Sequence, residues 1–199
     1  MSENSVEVVV VKGAEIEPYV EALAKLRIEV FREYPYLYDG SMEYERGYLR
    51  AYAKSQGSLF VIARDGGEVV GVSTALPLSD AEEAFRKPFV ERGDDAGAVY
   101  YFGESVLRRD YRGRGLGGRF MREREAFARE RRAFRWCAFC AVERASDDPR
   151  RPEGYRPLDA FWNRCGFRRD PTLRASFEWK EVGSGEPSVN TMVFWLKRL

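Results

Sequence analysis

The chain has 199 residues, 44% of them apolar and 33% charged, which suits one soluble globular domain with a real core and excludes a disordered chain. Lys and Arg number 33 against 32 Asp and Glu, a formal charge of +1, so nothing in the balance points to nucleic acid. Histidine is absent. That removes Ser-His-Asp and Cys-His nucleophile systems and zinc motifs built on His, and leaves proton transfer to Glu, Asp, Tyr, Cys, Lys or water.

The cysteines, Cys137, Cys140 and Cys165, are few and odd in number. They do not describe a secreted disulfide framework, so a reducing cytoplasm is the expected compartment. No apolar run approaches the ~18 residues of a membrane span, and Met1-Ser-Glu-Asn-Ser5 shows no secretory signal.

In chain order, Val6–Val11 is β-branched and short, a strand. Val20, Leu23, Leu26 or Arg27, and Val30 stand near helical spacing, which predicts a helix over Gly13–Phe31 that Pro35 stops. Tyr34–Gly40 reads as a loop, and Ser41 caps a second helix running toward Ala53. Leu59–Ala63 and Val69–Ala75 are predicted strands, joined as a hairpin across Asp65-Gly66-Gly67. Residues 79–95 are charged and hold a short helix, then a loop. Val99–Leu107 reads as a strand, Leu116–Arg132 as a helix, and Phe134–Val142 as a buried strand. Residues 144–157 form a long loop rich in proline and charge. Leu158–Cys165 is a short helix ended by Gly166, and Leu173–Lys180 and Met192–Leu196 are closing strands. The order predicts a single α/β (α+β) domain over 1–199, with a mixed central sheet of about seven strands flanked by helices.

The chemical signal is Val106-Leu-Arg-Arg-Asp-Tyr-Arg-Gly-Arg-Gly-Leu-Gly-Gly-Arg-Phe120, where a strand gives way to a helix. Glycines there allow a tight turn that points several N–H groups outward, a site for phosphate oxygens. Gly113, Gly115 and Gly118 fit the dinucleotide fingerprint G-x-G-x-x-G. That fingerprint follows its strand directly and early in the chain, whereas Arg108–Arg112 intervene here and the turn lies past mid-chain. A kinase-type phosphate loop fails too, because no Lys-Ser/Thr follows the last glycine. A glycine turn that merely connects strand to helix stays open as the plain alternative.

Arg112, Gly115 and Gly117 instead meet R-x-x-G-x-G, and Phe161-Trp-Asn-Arg-Cys-Gly-Phe167 matches a second motif, F-Y-x-x-x-G-F. With Glu104-Ser-Val-Leu before them, these segments resemble the GNAT superfamily of acyl-CoA-dependent N-acyltransferases, and the order of elements extends the resemblance over nearly the whole chain. The resemblance implies acetyl-CoA as co-substrate and no metal. Backbone N–H groups of Arg112, Gly113, Arg114, Gly115, Leu116, Gly117 and Gly118 would hold the pyrophosphate, and Val106 and Leu107 would pair with the pantetheine amides. The strands flanking the helix would splay to admit the thioester. Arg108, Arg114 and Arg119 are further candidates beside the phosphates. For Arg119 and Arg122 the competing expectation is a solvated helix face paired with glutamates.

The family's activity implies direct acetyl transfer to an amine, a small molecule or a peptide. Glu104 stands where several family members carry a catalytic strand glutamate, and a carboxylate in an apolar strand needs a role or a partner; pairing with a nearby arginine is the alternative. The family's usual tyrosine, which protonates the leaving thiolate, is replaced by Trp162, with Tyr155 as a substitute candidate. That departure keeps a second reading open, a catalytically inactive acyl-CoA-binding regulatory protein. The acceptor is expected between residues 34–39 and 143–155, with Tyr34, Tyr36, Asp39 and Glu143 as candidates, because rings and carboxylates suit a cationic amine. The same acids could instead pair with local arginines. Dimers are common in the family, which leaves a homodimer open.

Trp136-Cys-Ala-Phe-Cys140 mimics a W-C-x-x-C redox motif, but it lies in an apolar strand rather than at a helix N-terminus. An i, i+3 pair in a strand sits roughly 10 Å apart at ~3.3 Å per residue, beyond the ~7 Å Cα limit of a disulfide. Core cysteines are expected.

Overall fold

A computed structural model describes residues 6–199; the expectation about a secretory signal rests on residues 1–5 and lies outside them. Seven strands form one mixed sheet in the order β1-β2-β3-β4-β5-β7-β6. They are β1 (Glu7–Val11), β2 (Leu59–Asp65), β3 (Glu68–Pro77), β4 (Val99–Leu107), β5 (Trp136–Val142), β6 (Arg168–Lys180) and β7 (Pro187–Arg198). The helices are α1 (Val20–Phe31), α2 (Met42–Ala53), α3 (Glu83–Arg92), α4 (Leu116–Arg131) and α5 (Asp159–Arg164). The fold is the single mixed α/β domain expected from the sequence.

Local chemistry explains most boundaries. Gly66 and Gly67 both have positive φ, 56° and 90°, which a two-residue hairpin turn between paired Asp65 and Glu68 requires. Ser41 Oγ accepts from Tyr44 N–H at 3.3 Å and caps α2. The helix predicted from Gly13 begins later: Gly13–Tyr19 is 3-10, and the α-helix starts at Val20. Pro18 lies in that first segment and has no N–H for an α-helical bond.

The last two strands are longer than predicted. β6 starts at Arg168, and its register with β7 shifts between Asp170 and Arg174. Pro171 sits in that irregularity, where it cannot donate to a ladder. β7 runs well beyond the apolar stretch that marked it, from Pro187 to Arg198, because its ends pair with β6 and β5 although exposed.

The two faces of the sheet carry separate cores. Leu23, Leu26, Leu49, Val99, Tyr101 and Phe194 pack beneath α1, α2 and α3. Tyr100, Phe102, Phe120, Phe127, Phe139 and Phe167 pack on the opposite face around α4. Cys137 belongs to the second cluster and Cys140 to the first, so strand alternation keeps the thiols on opposite faces. Burial pushes both up to about 12. Cys165 is only half-buried. A thiol reagent at mildly alkaline pH is therefore expected to label Cys165 first, with Cys137 and Cys140 reacting only after denaturation. Mass spectrometry of the labelled peptides checks the order, and early labelling of Cys137 would contradict the packing.

Candidate active site

β4 and β5 are parallel, and their ladder runs only from Val99↔Trp136 to Tyr101↔Ala138. Beyond that point β4 stays on β3 and β5 stays on β7, so the two strands part into a wedge. A cleft of about 760 Å³ fills the wedge and reaches both faces of the sheet. Phe102–Ser105 of β4 and Phe139–Val142 of β5 form its walls.

A bulge sets what β4 presents there. Ser73 pairs with Ser105 and Ala75 with Phe102, so Gly103 and Glu104 together oppose Thr74. The extra residue moves the side-chain alternation by one. Val99 and Tyr101 face α1–α3 before the bulge, and Val106 faces them after it. Glu104 is thereby turned toward α1 and α2 instead of α4. Gly103 is required, because a Cβ there would stand 2.5 Å from Thr74 Oγ1 and from Tyr52 OH.

Glu104 is buried and held from three sides. Arg27 Nη1 lies 2.6 Å from Oε1, while the Thr74 and Tyr48 hydroxyls donate to Oε2 at 2.9 and 3.2 Å. Arg27 Nε also bonds Glu45, which is 0% exposed, and its guanidinium stacks 4.2 Å over the Tyr48 ring. Desolvation opposes the charge on Arg27, but the facing carboxylates outweigh it and hold its pKa well above the ordinary value. Glu104 thus pairs with an arginine, as the alternative reading had it, and does so in the cleft wall.

The glycine turn lies past the end of β4 and does not line the cleft. Gly113 and Gly115 have φ of 77° and 82°, values that favour glycine. Gly115 is the N-cap of α4, no side chain caps it, and no acid stands in the first turn. Among the described residues, the N–H groups of Gly113, Arg114, Gly115, Leu116, Gly117 and Gly118 donate to no backbone acceptor, whereas the Arg112 N–H, expected with them, is taken by Arg109 O at 3.1 Å in a 3-10 turn; the first closure of the helix is Arg119 N–H to Gly115 O at 3.1 Å. The positive end of the α4 dipole is left unneutralised.

The arginines of the turn are mostly engaged. Arg112 donates from Nε to Leu107 O at 3.0 Å and clamps Glu33 at 2.9 and 3.2 Å. Burial works against the charge on Glu33, yet Arg112 and Arg109 hold its carboxyl below the usual range. Arg108 is shared between Glu29 and Glu68, and Arg119 pairs with Glu123 at 3.5 Å along the helix face. The Arg114 guanidinium lies 4.9 Å from the Tyr111 ring centroid.

Arg108 N–H bonds Val70 O across β3 at 3.0 Å. By strand alternation Val106 also faces β3, while Ser105 and Leu107 direct their N–H and C=O groups the other way, toward the gap. Val106, 1% exposed and paired with Val72, is therefore not free to pair with a ligand as the sequence reading had it. Leu107 and Ser105 have their backbone groups on the open side of β4, where Arg112 Nε already takes the Leu107 carbonyl at 3.0 Å.

The remaining candidates divide. The Trp162 ring packs against Phe139 and Trp195 with centroids 5.0 Å apart in each case, and it offers no hydroxyl. Tyr155 lines the cleft, its ring edge-on to Tyr34 at 4.7 Å; burial, Tyr34 and Asp159 raise its pKa. Tyr36 also lines the cleft, wedged between Phe31 and Trp179. Glu143 reaches the cleft but is gripped by Arg169 and, at 2.7 Å, by Arg174. Asp39 is a correction: it does not line the cleft, because Arg32 at 3.0 Å and Lys180 at 3.6 Å tie it to the outside.

Arg27, Glu45 and Arg124 line the cleft, and the sequence reading assigned them no role. Among the described residues there is no group of three His, Cys, Asp or Glu placed to hold a metal ion, and no helix long and apolar enough to cross a membrane.

The architecture matches known structures end to end. An acetyltransferase from Streptococcus agalactiae superposes with a TM-score of 0.62 at 16% identity, covering 100% of both chains. A ribosomal-protein-alanine N-acetyltransferase from Brucella melitensis gives 0.60 at 16% identity, over 96% of this chain and 99% of that one. The PaiA N-acetyltransferase from Thermoplasma acidophilum, solved in complex with coenzyme A, gives 0.53 at 13%, over 98% and 99%. No protein of curated function matches the sequence. The model of the acetyltransferase (GNAT) family matches residues 22–167, nearly three-quarters of the chain by length, and the chain belongs to that family.

Proposed function

We propose that this protein transfers an acetyl group from acetyl-CoA directly to a primary amine, carried by a small molecule or a peptide. One observation supports the reading above the others: the parallel ladder stops at Tyr101 and Ala138, and the wedge opens beside a helix whose leading amides have no backbone acceptor among the described residues. The residues fit the parts of the co-substrate. Amides from Gly113 to Gly118 suit pyrophosphate oxygens. Leu107 and Ser105 offer backbone groups to an amide-bearing arm entering the gap. When bound, the thioester supplies an activated acetyl group.

The roles follow from the cleft. Arg27 holds Glu104 in the cleft wall, and that carboxylate takes the proton of the incoming ammonium, through a water in the polar part of the cleft. Ser105 N–H stands toward the gap, where negative charge grows on the thioester oxygen. Tyr155 is kept protonated by its raised pKa, so its phenol gives a proton to the departing sulfur and regains one from solvent.

The test is calorimetric titration with acetyl-CoA, CoA and NAD, followed by CoA release across an amine panel. Acetyl-CoA should bind and NAD should not. Glu104→Gln should lower kcat at neutral pH and lose less at high pH, where amines deprotonate unaided. Acetyl-CoA binding without CoA release on any amine would favour a regulatory acyl-CoA-binding protein instead.

A further inference from the structure

Arg124 has no part in the chemistry above, yet it is the most unusual charge in the molecule. It is 2% exposed, and every acceptor it meets is neutral. Nε donates to Phe120 O at 3.2 Å, Nη1 to Thr74 O and to Glu104 O at 3.2 Å each, and Nη2 to Ser105 Oγ at 2.7 Å and Met121 Sδ at 3.0 Å. The Glu104 carboxylate is turned to the other face and taken by Arg27. Desolvation pulls Arg124 down to about 10, which still leaves it charged at neutral pH. A buried cation bonded only to neutral acceptors is costly to keep.

Its contacts show where that charge acts. Thr74 and Glu104 are the residues that face each other at the bulge, and bulges leave ladder groups without their regular partners. Arg124 Nη1 takes both of those carbonyls. The Glu104 C=O and the Ser105 N–H belong to one planar peptide and point in opposite directions. Arg124 pulls on the oxygen, and the N–H on the far side faces the gap. Donation to a carbonyl polarises the amide and strengthens its N–H as a donor.

We propose that Arg124 is a positioning residue for acetyl transfer: it fixes the Glu104–Ser105 peptide and sets a buried positive charge, bonded to no carboxylate, behind it, so that Ser105 N–H meets the thioester oxygen as a strengthened donor. The inference rests on the acetyl-transfer reading. Its energetic logic is differential. In the free protein the cation bonds no carboxylate and feels Glu104 only through space, and it gains a nearer negative charge as charge builds on the bound oxygen, so the interaction grows toward the transition state.

The test compares wild type, Arg124→Met and Arg124→Lys, and its main readout is not turnover. Acetyl-CoA labelled with 13C at the thioester carbonyl is bound to each protein, and the carbonyl stretch is read by difference infrared spectroscopy. Wild type should move the band to lower frequency than in water. Arg124→Met should lose most of that displacement while acetyl-CoA affinity changes by less than about threefold, and Arg124→Lys should fall between. On an amine found in the panel, Arg124→Met should lower kcat by ~10²-fold with little change in acceptor KM, the size of effect seen when one oxyanion donor is impaired. A folded Arg124→Met protein with the wild-type band and kcat would reduce Arg124 to packing. If Arg124→Met does not fold, Arg124→Lys decides alone, since a wild-type band there overturns the proposal. Failure of wild type to bind acetyl-CoA is a separate outcome, and it removes the acetyl-transfer reading and this inference together.

Discussion

Gly117→Glu is expected to weaken acetyl-CoA binding by ~10²-fold or more while leaving the protein folded. Charge-assisted hydrogen bonds contribute roughly 1.5–3 kcal/mol each, and losing two is already ~10²-fold in affinity. Gly117 is in the first turn of α4, and a Cβ there would meet only Phe161 Cζ, at an ordinary 3.6 Å. Fold and ligand are thereby separable at this position. They are not at Gly113 or Gly115, where φ of +77° and +82° would strain any side chain whatever the space. A glutamate early in a helix is also favourable to the helix itself, because it meets the positive end of the dipole. Gly117→Glu should therefore keep or raise the melting temperature and still place an anion where the pyrophosphate is proposed to bind. Titration calorimetry with acetyl-CoA, alongside thermal unfolding, checks both halves. Wild-type affinity in the folded variant would move the phosphate site off this turn.

Periodicity and turn chemistry carried most of the fold. The Gly66-Gly67 hairpin, the Ser41 cap and the α4 stripe of Leu116, Phe120 and Phe127 are local signals, and the structure uses each of them. Less local features were harder to see. The wedge depends on where the β4–β5 pairing stops, and no residue in either strand announces that point. Gly103 was the available hint of the bulge, since a glycine inside a strand commonly marks one. Whether a loop acid faces a cleft is a tertiary matter: Asp39 shares the loop that carries Tyr34 and Tyr36, yet Arg32 and Lys180 of β6 hold it outside.

The charged residues of the cleft did leave a trace in the sequence. Arg27 stands on the stripe Val20, Leu23, Arg27 and Val30; Glu45 shares one with Leu49 and Tyr52; Arg124 lies between Phe120 and Phe127. A charge at a core-facing helical position is improbable unless something inside compensates it. Read together, the first two predict a buried pair, which is what α1 and α2 form.

That buried pair leads to the second large effect. Arg27→Met should destabilise the protein by about 3–5 kcal/mol, the usual consequence of removing one partner from a buried ion pair, or about 10 °C in melting temperature for a domain of this size. Arg27 bonds Glu45 through Nε and reaches Glu104 through Nη1, so the variant leaves two buried carboxylates without their cation. Glu45 is the sharper probe, being 0% exposed and facing Arg27 as its cation. In the wild-type background Glu45→Gln removes one side of a working pair and should destabilise. In the Arg27→Met background the same change removes an uncompensated buried charge and should stabilise. The sign of the Glu45→Gln effect must therefore reverse between the two backgrounds, a coupling that denaturant unfolding of the four proteins measures as a double-mutant cycle. If both backgrounds give the same sign, the guanidinium is not what holds Glu45 in its place. Glu104 would then owe its position to Thr74 and Tyr48.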